Sequence, residues 1–215
     1  MLIIGKIQMQ NPNLNKSVLE FGCDLESVIA TNELSLRESR VSDTDAEDQA
    51  ALDLVSALSK TPNHFFQKLV DTALSLSGAD STGISLLNDA RNRFVWPAVA
   101  GGLTPYVGGG TPRESGPCGT VLDRDAPVLF RHPERHFGYL TPIQPPLEEV
   151  LLVPFHMNGK AVGTIWAVIH VKNRHFDSED KRLLENLSHF AASAYRVLAD
   201  AGSLDPLLNL QHAVA

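Results

Sequence analysis

The sequence predicts an α+β fold, an antiparallel sheet with helices gathered on its faces. Three observations lead there. Strand-like runs come in pairs joined by short turns, which makes neighbours antiparallel. Segments of helical periodicity stand before the first pair and after the last. A long variable connection separates the two pairs, with room for one short helix and one short strand.

Taken in order, the first firm helix spans about Ala46 to Ser59, where Ala50, Leu54, Ala57 and Leu58 recur at helical spacing. Thr61-Pro62 stops it and opens a second helix, with Thr61 as N-cap and Pro62 at the first helical position. Phe65, Phe66, Leu69, Val70, Ala73, Leu74 and Leu76 supply its apolar face, and Gly78 ends it. Thr82–Leu87 and Arg93–Ala100 form the first strand pair across the turn Asn88–Asn92. Pro97 places the second arm at an edge or a bulge. Gly101-Gly102 and Gly108–Gly110 mark a mobile connection. Gly116-Pro117 opens a helix-like run to Asp125, and Pro127–Phe130 reads as a brief strand. Val150–Phe155 and Ala161–His170 make the second pair, and Asn158-Gly159 between them is a strong hairpin signal. The closing helix begins after Asp177, which caps it, with Glu179 and Asp180 in the first turn. Leu183, Leu187, Phe190, Ala194 and Val197 form its stripe, and Gly202 ends it.

Composition narrows the function. The chain has 215 residues, enough for one domain with appendages or two small ones. A net charge of −7 argues against a broad nucleic-acid surface. Nine acids and four bases in residues 1–50 carry much of that excess. Residues 1–30 are weakly patterned, with a turn at Asn11–Asn15 and one short helix within 18–30. Residues 31–45 read as a solvated acidic linker. Cys23 and Cys118 make no disulfide framework, so reduced thiols and a cytoplasmic location are expected. No run is long and apolar enough to span a bilayer. No phosphate loop, nucleophile elbow, zinc spacing or kinase signature is present, so a binding module is expected and not an enzyme.

Five segments together resemble a GAF domain over about residues 50–200: Gly78–Leu87, Gly116–Pro127, Leu151–Phe155, Gly163–Trp166 and Phe176–Asp180. The Pro112–Gly119 and His132–His136 runs are most similar to GAF modules at the front of bacterial sensor histidine kinases. The resemblance implies a central antiparallel sheet of about six strands with helices on both faces. It also implies a ligand pocket between sheet and variable connection, and terminal helices that dimerise and carry a signal. The expected divisions are an extension and linker at 1–45, a sensory domain at 46–201 and a tail at 202–215.

The ligand-facing set expected is Trp96, Arg113, Cys118, Phe130, His132, Glu134, Arg135, His136, Tyr139, Phe155 and Trp166. Each has competing readings. Cys118 follows a Gly-Pro turn and precedes a helix start, a place that lowers a thiol pKa. It is a small buried residue in a tight turn, a redox-sensing thiol, a bilin attachment point, or the nucleophile of a free-methionine sulfoxide reductase, itself a GAF protein. His132, Glu134 and His136 share one face of an extended chain. Such a trio suits a metal, Arg131 and Arg135 suit an anion, and a plain surface loop suits all of them. The aromatics are core, or the lining for a flat ligand such as a purine, an aromatic acid or a haem. Glu148-Glu149 reads as a solvated strand end. No metal is assigned, and the cofactor, if any, is unknown.

A parallel homodimer is expected through the first and last helices, with Leu52, Val55, Leu184, Ala191, Tyr195 and Leu198 at the interface. The functional expectation is a sensory module that binds an unidentified small molecule. A possible signalling-protein partner receives the signal, and no nucleic acid or membrane is engaged. The alternatives are an interaction module with a vestigial pocket and a thiol-dependent reductase using Cys118.

Overall fold

The computed structural model describes residues 22–88 and 90–210. Its centre is one six-stranded antiparallel sheet: β1 (Ser81–Leu87), β2 (Arg93–Gly101), β3 (Gly110–Pro112), β4 (Val128–Arg131), β5 (Glu149–Met157) and β6 (Lys160–Ile169), in the order β3-β2-β1-β6-β5-β4. Helices α1 (Thr44–Lys60), α2 (Phe65–Ser77) and α4 (Ser178–Asp200) cover one face. The short helix α3 (Pro117–Arg124) and the connections around it cover the other. A single turn, α5 (Asp205–Leu208), follows α4 and buries Leu208 in the helix-side core.

Strand alternation builds both cores from one sheet. Leu151, Val153 and Phe155 of β5, with Ile165 and Ala167 of β6, meet the helices. Val150 and Leu152, with Trp166 and Val168, face the other way. In β2 the phase slips. Ile84 pairs with Ala98 but Leu86 pairs with Val95, so Trp96 and Pro97 together oppose Ser85. This is a bulge, and it accommodates the proline that a regular ladder would reject. The slip sends Trp96 and Val99 to the α3 face and Ala98 to the helix face.

The helix ends follow local chemistry. The Asp43 side chain accepts from the Ala46 amide at 3.1 Å and caps α1. Asp177 and Asp180 form a reciprocal capping box at the start of α4. Gly78 ends α2 at φ 62°, a left-handed turn that glycine adopts without steric cost. Asn158 and Gly159, both at positive φ, close the β5–β6 hairpin. The expected Thr61 cap is not formed. Thr61 donates its hydroxyl back to Ala57 O, Pro62–His64 make a 3-10 turn, and α2 begins at Phe65.

Residues 22–43 correct the expectation of a solvated linker over 31–45, whose last two residues open α1. They form a strap of two 3-10 turns, Leu25–Val28 and Thr31–Ser35, with Val28 and Leu34 buried. The Ala30 amide donates to Leu129 O at 2.8 Å, the Leu129 amide donates to Thr31 Oγ1 at 3.1 Å, and Ile29 bridges Phe130. Burial of Leu34 alone contributes about 1.5–3 kcal/mol. Arg37 and Arg40 of the strap pair with Glu149 and Asp180, 112 and 140 positions away, and Glu26 and Glu33 pair with Arg124 and Arg131, each 98 positions on, which local composition does not reveal. The Asn11–Asn15 turn and residues 18–21 of the expected short helix lie outside the described residues. The connection after β2 is ordered by Gly108 and Gly109, which pair with Trp96 on either side.

The stripe on α4 also differs from expectation. Leu183, Leu184, Leu187, Ala191, Ala194 and Leu198 are all buried, whereas Val197 is exposed. Three residues expected at a dimer interface, Leu184, Ala191 and Leu198, are therefore core, because the packed face is wider than the stripe first drawn. Tyr195 is half-buried with its ring 6.2 Å from Phe155. Leu52 and Val55 on α1 stand 66% and 56% exposed. Among the described residues no helix is long and apolar enough to cross a membrane.

Candidate functional site

Between the sheet and the variable connection lies a cavity of ≈ 50 Å³. The sheet supplies Trp96, Val150, Leu152, Trp166 and Val168, β3 supplies Thr111, and α3 supplies Pro117 and Cys118. Leu103 from the loop after β2 and Pro133, Leu140, Ile143 and Leu147 from the β4–β5 connection complete the wall. No side chain in it carries a formal charge, and no polar atom faces the space. Drug-sized ligands usually occupy about 300–1,000 Å³, so this cavity is small.

The floor depends on a glycine. A Cβ on Gly83 would stand 2.1 Å from the Trp166 ring, so the indole lies flat on the strand only because Gly83 has no side chain. Trp166 Nε1 donates to Ser85 Oγ at 3.0 Å, and its ring meets Trp96 edge-on at 5.7 Å. Cys118 Sγ also donates to Ser85 Oγ, at 3.3 Å, and accepts from Thr164 Oγ1 at 3.6 Å. Burial pushes the Cys118 thiol up, and the hydroxyls of Ser85, Thr164 and Thr111 only partly oppose that. The expected lowering at a helix start is thus overturned: enclosure in apolar surroundings outweighs the short helix. Two buried polar atoms in the wall residues, Trp96 Nε1 and Thr111 Oγ1, make no hydrogen bond of ordinary geometry.

Of the expected ligand-facing residues, Trp96, Cys118 and Trp166 line the cavity. The others do not. Phe155 points to the opposite face, against α4, because β5 alternates. Phe130 is fully buried on the cavity side but packs against Phe137, ring centres 5.9 Å apart. Tyr139 is partly exposed beside Gly116. Arg113 grips Asp123 at 2.5 Å along α3.

The His132–His136 run is a turn. Pro133–Arg135 form a 3-10 turn, so 132, 134 and 136 do not share the face of a strand. His132 stands 3.5 Å from both Glu134 and Glu148. His136 Nδ1 contacts Cys23 O at 2.5 Å, tying this turn to the strap, and Arg135 is exposed. Among the described residues no three His, Cys, Asp or Glu side chains are placed to share a metal.

Sequence reasoning missed a second centre. Glu149, expected at a solvated strand end, is 1% exposed. It accepts from Arg37 Nη1 at 2.9 Å, Arg37 Nη2 at 2.7 Å and the Phe176 amide at 3.0 Å, and His175 Nδ1 stands 2.9 Å away. Burial alone would raise its carboxyl, but Arg37, the Phe176 amide and His175 together hold it below the usual carboxylate range. Leu103, Thr111, Leu140, Ile143 and Leu147 were also missed, because isolated residues in irregular connections leave no periodic signal.

The curled antiparallel sheet, with helices on one face and a cavity under a variable connection on the other, defines an α+β fold of the sensory and regulatory kind. The family model described as GAF domain matches residues 59–195. The chain belongs to the GAF domain family. No curated protein matches it. It is similar to the GAF domain of an Acinetobacter phosphoenolpyruvate-protein phosphotransferase, at 19% identity and a TM-score of 0.64, over 77% of this chain and 100% of that one. It is similar to free methionine-R-sulfoxide reductase from Neisseria meningitidis, at 15% identity and 0.60, over 78% and 99%. The second GAF domain of DevS from Mycobacterium smegmatis follows at 24% and 0.50, over 67% and 98%. These likenesses establish the fold.

Proposed function

We propose that this chain is a non-catalytic sensory module of bacterial signal transduction, in which a small molecule enters the cavity and α1 and α4 pass on the change. The observation that carries this reading is the cavity, built where the sheet meets the variable connection and bounded by two tryptophans and a buried thiol. Occupancy there bears on α3 and the strap, which pack on the same face. A cytoplasmic homodimer is the form in which such a module would act, and the front end of a histidine kinase is one setting for it. The exposed Leu52 and Val55 of α1 are the residues offered to a second copy. The reductase alternative is disfavoured by Cys118, whose buried, protonated thiol is a poor nucleophile. Cys23 does not line the cavity. The test is thermal stability against a panel of small uncharged and charged compounds. A ligand selective for the folded state raises Tm, and the rise keeps growing with the logarithm of ligand concentration above Kd.

A second reading is an interaction module whose pocket is filled by its own side chains. The small volume of the cavity favours it. It forecasts that no small molecule shifts Tm, whereas Leu140→Trp, which closes the remaining space, leaves partner binding intact.

A further inference from the structure

A second opening lies at one end of the sheet. It is a cleft of ≈ 300 Å³ lined by Arg91, Arg113, Leu122, Asp125, Lys160 and Ala161. None of these residues lines the apolar cavity. The topology explains why they meet. β1 and β6 are neighbours, with Leu86 opposite Gly163, so the turn after β1 and the turn before β6 lie side by side. Arg91 belongs to the first turn, and Lys160 opens β6 after the second. The Arg113 amide donates to Asn92 O at 3.0 Å, which brings the end of β3 beside Arg91. Leu122 and Asp125 come from the C-terminal end of α3.

Charge sets this cleft apart from the rest of the chain. The chain carries a net −7, yet the lining holds three cations and one carboxylate. That carboxylate, Asp125, already faces His156 Nε2 at 2.6 Å. Arg113 gives Nη2 to Asp123, an outward carboxylate that is 63% exposed, and its Nη1 reaches Gly119 O only at 3.4 Å. Among the described residues neither Arg91 nor Lys160 forms an ion pair. Arg91 also sits at φ 54°, a left-handed conformation that a non-glycine residue adopts at a cost. Cations drawn to one cleft repel each other, and an anion placed between them reverses that term.

We propose that this cleft binds the phosphate monoester of a small organic molecule, with Arg91, Arg113 and Lys160 on the phosphate oxygens and Leu122 and Ala161 against the organic part. Three cations against one carboxylate leave two positive charges in the lining. A phosphate monoester brings about −1.5 to −2 charge at neutral pH and three strong acceptor oxygens. Guanidinium forks meet such oxygens in pairs, and the ammonium adds a point charge. A carboxylate brings about half the charge, and an uncharged molecule offers the three cations nothing. The site goes beyond the sensory reading of the apolar cavity and stands or falls independently of it.

Four probes test this in the full chain at fixed ionic strength: phenyl phosphate, inorganic phosphate, benzoate and phenol. Binding is followed by calorimetry and by the backbone amide signals of Arg91, Arg113 and Lys160 in ¹H–¹⁵N NMR. Phenyl phosphate should bind saturably and most tightly, inorganic phosphate and benzoate more weakly, and phenol not at all. Arg91→Gln and Lys160→Gln should each weaken phenyl phosphate about three- to tenfold, less than a buried charged hydrogen bond would give, because both side chains meet solvent. Asp125→Asn removes the one like charge at a left-handed position that asparagine accepts, so it should tighten binding. Lys68→Gln on α2 makes the same change in net charge far along the chain and should leave binding as it was. An equal loss in Lys68→Gln, or binding unmoved by Arg91→Gln with Lys160→Gln, marks diffuse attraction or another site and overturns the proposal. Benzoate binding as tightly as phenyl phosphate, or no tightening in Asp125→Asn, also overturns it. A phosphoserine tripeptide that binds more tightly than phenyl phosphate overturns the small-molecule source. Failure of every probe to bind overturns the site and leaves the sensory cavity standing.

Discussion

Replacing Arg37 by alanine should cost more than any other single change in the strap. The substitution removes both guanidinium bonds to Glu149, at 2.7 and 2.9 Å, and the bond to Phe176 O at 2.5 Å. Glu149 stays behind at 1% exposure, with His175, the Phe176 amide and, 3.6 Å away, the Arg131 guanidinium beside it. Leaving one member of a buried pair uncompensated costs about 3–5 kcal/mol. The remaining partners place the expected loss near the lower end, about 3 kcal/mol, or roughly 6–12 °C in Tm for a domain of this size. The pH dependence fixes the cause. In the wild type the Glu149 carboxyl is held below its ordinary value, so its contribution is complete above the ordinary pKa and is lost as pH falls through the folded one. In the variant, burial dominates and raises the carboxyl, so acid relieves the cost. The gap between the two proteins should therefore narrow as pH falls below about 5. Urea melts across pH, with hydrogen exchange over residues 22–43, measure both. A loss under about 1 kcal/mol, or a gap that widens in acid, would refute the reasoning. Arg37→Met combined with Glu149→Gln, which leaves no lone charge, should recover much of the loss.

Cys118 should resist iodoacetamide in the folded protein and label only on unfolding, as mass spectrometry of the digested protein would show; rapid native labelling would contradict its raised pKa. Gly83→Ala should cost at least about 1–3 kcal/mol by overpacking and change the near-ultraviolet circular dichroism, because the new methyl displaces the Trp166 ring. Asp177→Ala should cost about 1–2 kcal/mol, since it removes the α4 capping box and the bond at 2.8 Å from the Arg40 amide; thermal melts would reveal a smaller effect. Leu52→Glu with Val55→Glu should convert a dimer to monomer in sedimentation equilibrium at micromolar concentration with little change in Tm, and a wild type that is already monomeric there removes the proposed signalling route.

The regular elements were legible because each carries a repeating or local signal. The Asn158-Gly159 hairpin, the Asp177 cap and the Gly78 stop lie where their residues point. Pro97 announced a bulge, though not that the bulge would turn Trp96 onto the cavity face. The site was less legible. Trp96, Cys118 and Trp166 stood out as residue types, but their common wall depends on strand phase and on Gly83. Phe155 was misplaced because a strand buried on both faces gives no hydrophobic alternation to read. Arg37 and Glu149 are 112 positions apart, and each resembles an ordinary surface charge until the strap is docked.

The strap has a further consequence at the margin of the sheet. β4 ends the strand order on one side, and an uncovered end strand invites pairing with any extended chain. The Ala30 amide, the Thr31 hydroxyl and the Ile29–Phe130 bridge occupy that margin. The opposite margin is β3, three residues long and closed by Pro112, which has no amide proton to offer. Among the described residues, neither margin presents a long uninterrupted edge. Peeling away residues 29–31 would uncover the β4 margin that the strap now occupies.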